Sequence, residues 1–119
     1  MKLLIVDDSL IMRRAIERSI GRTRFTEVHT ATTGLLAVEM FERHRPDVVT
    51  MDITMPDMDG LAAVDEIMKR DPRAVILVVS ALADKATAVE AVKRGAQGFL
   101  LKPVTAQSVQ AAIDDILSD

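Results

Sequence analysis

Val48-Val49-Thr50-Met51-Asp52-Ile53-Thr54-Met55-Pro56-Asp57-Met58-Asp59-Gly60 is a strand-like run that ends in an acid and empties into a Pro/Gly turn. Its body is β-branched and aliphatic, the composition of a buried strand. Such a strand gains nothing structurally from a carboxylate at its tip. Open α/β sheets bind their ligands where strands run out into loops, and polar residues placed there serve function more than packing. Asp52 is therefore read as a working group, and the rest of the chain is read for what could serve it.

Outward from this stretch the chain repeats one pattern. Lys2 to Val6 is a strand that stops at Asp7-Asp8, and Ser9 caps a helix with Met12, Ala15, Ile16, Ser19 and Ile20 on one face. Gly21 ends it. Phe25 to Ala31 alternates loosely as a second, edge-type strand. Thr32 or Thr33 caps a helix with Ala37, Val38 and Phe41 inward, stopped by His44-Arg45-Pro46. The third strand is Asp47 to Met51. Leu61, Val64, Ile67 and Met68 then mark a helix closed by Asp71-Pro72. Ala74 to Val79, the most continuous apolar strand and the one expected at the centre, runs into Ser80-Ala81. Asp84 caps a fourth helix with Ala88, Val89 and Val92 as its expected inner face. Gly95 and Gly98 bracket the entry to a short strand, Phe99 to Leu101, which Lys102-Pro103 ends. Val109, Ala112, Ile113, Ile116 and Leu117 stripe a closing helix. Five strands alternating with five helices, the strands continuously apolar, predict a parallel sheet covered by helices on both faces, an α/β doubly wound domain over residues 1–119. No linker or low-complexity run interrupts it.

The totals narrow the chemistry. With 119 residues, 49% apolar and 28% charged, the chain suits one soluble domain with a real core. It has no cysteine, which removes disulfides, thiolate metal sites and thiol catalysis. A net charge of −3 argues against phosphate-driven nucleic-acid binding. Val75 to Leu82 is too short to span a bilayer. Met1-Lys2 leads straight into a strand without a signal-peptide pattern, so the cytoplasm is the expected location.

The polar exceptions fall in one place. Asp7-Asp8 follow strand one, Asp52 ends strand three, Ser80 follows strand four and Lys102 follows strand five. Singly, each reads as a turn residue, a solvated lysine or a hydroxyl serving its own backbone. In a parallel sheet all these ends share one edge, and their joint placement outweighs the separate readings. Three carboxylates about 5 Å apart would repel by about 3 kcal/mol per pair at an effective dielectric near 20, so the group needs a proton or a cation. All-oxygen ligands favour a hard ion, Mg²⁺ first. Carboxylate, hard cation, ammonium and hydroxyl together form a phosphoryl-transfer set. Which carboxylate attacks is left open by this reasoning. A calcium loop at Asp57-Met58-Asp59-Gly60 fails because Met55 stands where the first ligand belongs. His29 and His44 are expected far from the strand ends, and no G-x-S-x-G is present.

Leu4-Ile5-Val6-Asp7-Asp8-Ser9, Met51 to Gly60, Ser80-Ala81, Gly95-Ala96 and Phe99-Leu100-Leu101-Lys102-Pro103 together resemble the receiver domains of two-component response regulators, most of all the single-domain chemotaxis regulators. Those chemotaxis regulators are themselves a standard example of the flavodoxin-like sheet order 2-1-3-4-5. The resemblance implies that Asp52 is the phosphoacceptor, charged by a histidine kinase or phosphotransfer domain. It implies Mg²⁺ (or Mn²⁺) held by Asp7, Asp8, Asp52 and the Thr54 carbonyl. Lys102 and the backbone of Ile53 and Ala81 would bind the phosphoryl group, beside a cis bond between Lys102 and Pro103. Ser80 and Phe99 would be the switch residues, and the face of helix four, strand five and helix five would meet a downstream target, with the regulator itself monomeric. By the same resemblance, Thr54 and Leu82 should tune phosphoryl lifetime, and Leu10, Arg13, Arg14 and Glu17 lie where a kinase would dock. The sequence departs from the pattern at Phe99, where tyrosine is common, at Val104, where phenylalanine is frequent, and at Leu35-Leu36, which stand at positions expected to face outward. Two rivals remain at this stage: a receiver piece of a methylesterase or transcription factor, and a haloacid-dehalogenase-like phosphatase. The second would need its nucleophile on strand one and a substrate cap.

Overall fold

Strands that are apolar on both sides need helices on both faces, and the computed structural model supplies them. It describes residues 1–20, 24–53, 60–81 and 85–118. The elements run β1 (Lys2–Val6), α1 (Leu10–Ser19), β2 (Glu27–Ala31), α2 (Gly34–His44), β3 (Val48–Asp52), α3 (Gly60–Arg70), β4 (Val75–Ser80), α4 (Lys85–Lys93), β5 (Gly98–Leu101) and α5 (Ala106–Leu117). All pairings are parallel, in the order β2-β1-β3-β4-β5. The order and class are those expected. The centre is β3, however, and β4 lies beside it.

Side-chain alternation along the strands divides the core in two. Leu4, Val6, Val49, Met51, Ile76 and Val78 point to the layer of α2, α3 and α4, where Phe41, Val64 and Ile67 meet them. Leu3, Ile5, Val48, Leu77 and Val79 point the other way, onto Ile16 of α1 and Val109 and Ile113 of α5. β1 and β3 are pinned in register at their start, where Asp47 accepts from the Lys2 N–H at 2.7 Å and donates its own N–H to the Lys2 carbonyl.

Caps fix where the helices begin. Ser9 accepts from the Met12 N–H, Thr33 from Leu36, and Thr105 forms a reciprocal capping box with Ser108, each such cap being worth about 1 kcal/mol. α2 stops at Arg45, which adopts a left-handed φ of 48° just before Pro46 and returns its N–H to Phe41.

Several details differ from the sequence reading. Phe25 is buried but precedes β2, which starts at Glu27. α4 buries Ala88 and Ala91, whereas Val89 and Val92 are 41% and 38% exposed. The helix turns its smallest residues inward because it sits close on the sheet, and the larger valines face out. Of the Leu35-Leu36 pair only Leu35 is exposed; Leu36 packs against the α2–α4 layer. Gly21, Asp84 and Leu82 lie outside the described residues. No helix among the described residues is long and apolar enough to cross a membrane.

Thr50 is the polar exception inside the sheet. It pairs between Ile5 and Leu77, is 1% exposed, and its hydroxyl has no hydrogen-bond partner among the described residues. Thr50→Val keeps the shape and removes the unpaired hydroxyl. It is expected to raise unfolding stability by about 1 kcal/mol in urea titration.

Candidate functional site

Val6 of β1 lies opposite Met51 of β3, so the next residues along, Asp7 and Asp52, emerge together at the C-terminal edge. Asp7 continues the ladder by donating its N–H to the Ala31 carbonyl at 3.1 Å. Its carboxylate accepts the Ser9 N–H at 2.9 Å through Oδ1, and its carbonyl accepts Arg13 Nη1 at 2.8 Å. Both carboxylates are buried, and Asp8 beside them is exposed. One carboxylate oxygen from each of Asp7, Asp8 and Asp52 falls within 4.8 Å of the others.

Lys102 reaches the pair from the far end of the sheet. Its N–H donates to the Ser80 carbonyl at 2.7 Å, tying the ends of β4 and β5, and its Nζ stands 3.6 Å from Asp7 Oδ2 and 3.8 Å from Asp52 Oδ2. The Lys102–Pro103 peptide bond is cis. Ser80 is fully buried at the end of β4 and donates its hydroxyl to the Ala81 carbonyl at 3.0 Å. Ile53 is buried under the α2–α4 layer, and Phe99 is 37% exposed on the edge strand β5. Thr54 lies outside the described residues.

Two buried carboxylates thus share one ammonium, with the Asp8 carboxylate beside them. Burial pushes the Asp7 carboxyl above its ordinary value, and the charges of Asp52 and Asp8 push the same way, against the Ser9 N–H and Lys102. Asp7 Oδ2 is buried without a hydrogen-bond partner among the described residues. An orphaned carboxylate oxygen inside an all-oxygen cluster is what a hard divalent cation satisfies, so the residues present fit Mg²⁺.

Two residues matter here that sequence reasoning misplaced or passed over. Arg13 was expected to face outward for a partner, yet it is half-buried and holds the Asp7 backbone. Gly60 looked like simple turn chemistry. A Cβ there would stand 2.3 Å from Ile53 Cα and 2.7 Å from the Asp52 carbonyl oxygen. The start of α3 is pressed against the end of β3, and only glycine leaves the room. His29 lies opposite Leu4 in the middle of β2, away from this edge as expected.

The response regulator receiver domain family matches residues 3–114. The chain is 43% identical over 114 residues to the chemotaxis protein CheY of Listeria monocytogenes, covering 96% of both chains. It is 41% identical to that of Bacillus subtilis over 98% of both. Among solved structures, the CheX-CheY-BeF₃-Mg²⁺ complex from Borrelia burgdorferi superposes with a TM-score of 0.92 at 30% identity, covering 100% of this chain and 90% of that one.

Two outcomes follow from the geometry. Gly60→Ala would gain helix propensity, but the contact with β3 outweighs it, and a net loss of about 1–3 kcal/mol is expected in chemical denaturation. Asp7→Asn should stabilise the metal-free protein at neutral pH. A carboxyl whose folded pKa is raised above its ordinary 3.8 favours folding below that value, and loses that contribution as pH rises through the folded pKa. The gap in melting temperature between Asp7→Asn and the parent should therefore widen with rising pH, and saturating Mg²⁺ should close or reverse it.

Proposed function

The chain belongs to the response regulator receiver domain family, as a response regulator of a chemotaxis phosphorelay, and on that premise we propose that Asp52 is its phosphoacceptor. The observation that carries this reading is the placement of Asp52 itself. It is a buried carboxylate at the end of the central strand, with an ammonium 3.8 Å away and two further carboxylates beside it.

Asp7, Asp8 and Asp52, with the carbonyl of Thr54, would hold Mg²⁺, which when bound offsets the negative charge gathered at the site. Asp52 attacks the phosphorus of a phosphohistidine on a kinase or phosphotransfer domain. Its Oδ–P bond forms as the P–N bond breaks, and the leaving imidazole takes up a proton. The Lys102 ammonium faces the oxygens of the arriving group and balances their charge. The backbone N–H groups of Ile53 and Ala81 provide further donors. Arg13 and Ser9 keep Asp7 in place by holding its carbonyl and one carboxylate oxygen.

A phosphoryl group on Asp52 offers the Ser80 hydroxyl a stronger acceptor than the Ala81 carbonyl it now uses. Moving that hydroxyl pulls on the end of β4, and Phe99, exposed on the neighbouring strand, turns inward in response. Val89, Val92 and Phe99 give the α4–β5–α5 side an apolar surface for a downstream protein. The domain, spanning residues 1–119, is thus a cytoplasmic signalling switch, monomeric in the relay, which assists its own phosphotransfer and turns over no other substrate.

Incubation with Mg²⁺ and acetyl phosphate should add the mass of one base-labile phosphoryl group. Asp52→Asn should abolish the gain, and Lys102→Ala should leave acceptance slower by about 10²-fold or more, the usual effect of removing a charge-stabilising group. A gain that persists in Asp52→Asn would place the acceptor elsewhere.

A further inference from the structure

Glu27, His29 and His44 meet at the opposite end of the sheet. Lys2 pairs with Glu27 and Val6 with Ala31, so Glu27 and His29 lie toward the N-terminal edge of β2, away from Asp7. Two residues apart on a strand, they project from the same face. His44 closes α2, which packs back along that face. The two imidazoles stack with centroids 3.7 Å apart and planes 15° from parallel, and His29 Nε2 lies 2.9 Å from Glu27 Oε2. One ligand atom from each of the three falls within 4.8 Å of the others. The His29 side chain is 22% exposed, enough to admit an ion from solvent.

We propose that Glu27, His29 and His44 form a second cation site, for a borderline divalent transition metal of the Zn²⁺ type, bridging β2 to α2. Imidazole nitrogens with one carboxylate select Zn²⁺, Ni²⁺ or Cu²⁺ over Mg²⁺, so the two sites of the domain differ in ligand chemistry.

The surrounding groups permit occupancy. Lys2 Nζ lies 3.8 Å from Glu27 Oε2 and donates to the His44 carbonyl at 3.2 Å, while Arg43 adds a second cation nearby. The Lys2–Glu27 pair is exposed and long, hence weak, and Lys2 keeps its carbonyl when Glu27 turns to a metal. Tetrahedral bonds of about 2.0–2.2 Å place ligand atoms about 3.3–3.5 Å apart. From a spread of up to 4.8 Å the set closes by up to about 1.5 Å, and because two near-parallel stacked rings cannot both aim a nitrogen at one ion, one imidazole turns out of the stack as the hydrogen bond between His29 and Glu27 opens. Three protein ligands leave the fourth position to water.

The test is calorimetric titration of Zn²⁺ into the tag-free full chain in excess Mg²⁺, which occupies the carboxylate cluster. One saturable site is expected, with a melting temperature that rises with Zn²⁺ concentration. His29→Gln and His44→Gln should each weaken binding at least about 10-fold to 100-fold, the range seen for loss of a single supporting group at metal sites. Asp52→Asn should bind Zn²⁺ as the parent does. The chain has only these two histidines, so their imidazole NMR resonances provide a second readout that needs no substitution, and both should shift on Zn²⁺ addition. Binding that survives both histidine variants, binding lost in Asp52→Asn, or unshifted imidazole resonances at saturation would each overturn the proposal.

Discussion

Two buried carboxylates side by side, sharing one ammonium, are the constraint on which the rest of this structure depends. At about 5 Å and an effective dielectric near 20, Asp7 and Asp52 repel by about 3 kcal/mol, a large fraction of a small domain's stability. A loosely built sheet edge would relieve that by letting one of them swing into solvent. Here the backbone forbids it. Asp7 is tied by its own N–H to β2, by its carbonyl to Arg13 and by its carboxylate to the Ser9 amide. Asp52 is the last residue of the central strand, and Gly60 brings α3 hard against the peptide that follows it. The repulsion is retained, and with it the demand for a cation.

Parallel topology is what makes such over-determination cheap to build. Every strand ends at the same edge, so residues distant in sequence arrive together without any loop having to fold back. The stability to hold them comes from elsewhere in the same strands, where β1, β3 and β4 bury side chains on both faces. Support is uneven among the helices. α3 buries Ala63, Val64 and Ile67, whereas α4, among its described residues, buries only Ala88 and Ala91, far less apolar area per turn. The helix beside the Ser80 end of β4 is therefore held less firmly than α3, the property a two-state element needs.

What could be read from the sequence followed the strength of the physical signal. Continuous apolar strands gave the sheet and its coverings, and acids at strand ends gave the edge that matters. Register-level detail was not legible. Val89 and Val92 look like an inner face because they are larger than Ala88 and Ala91, but the depth available between α4 and the sheet decides in favour of alanine. Arg13 reads as a surface charge at its place on α1, and only the folded turn after β1 shows the carbonyl it holds. Gly60 carries no sign in sequence that a backbone lies where its side chain would be. The His29–His44 stack is likewise invisible, since the residues are distant in the chain and meet only once α2 has packed against β2.

The same topology that gathers the acids keeps the histidine pair apart from them. α2 is capped by Thr33, two residues after the Ala31 carbonyl that accepts from Asp7, and ends at His44, beside the first residues of β1. Glu27 and Ala31 are the two ends of β2, separated by about 13 Å of extended chain. β2 is also the sheet edge opposite β5, with β1, β3 and β4 between them. An ion clamped across β2 and α2 would thus brace the side of the sheet opposite β5, leaving β4, α4 and β5 unclamped. Stability and switching would then be set by two cations of different hardness at opposite ends of one sheet.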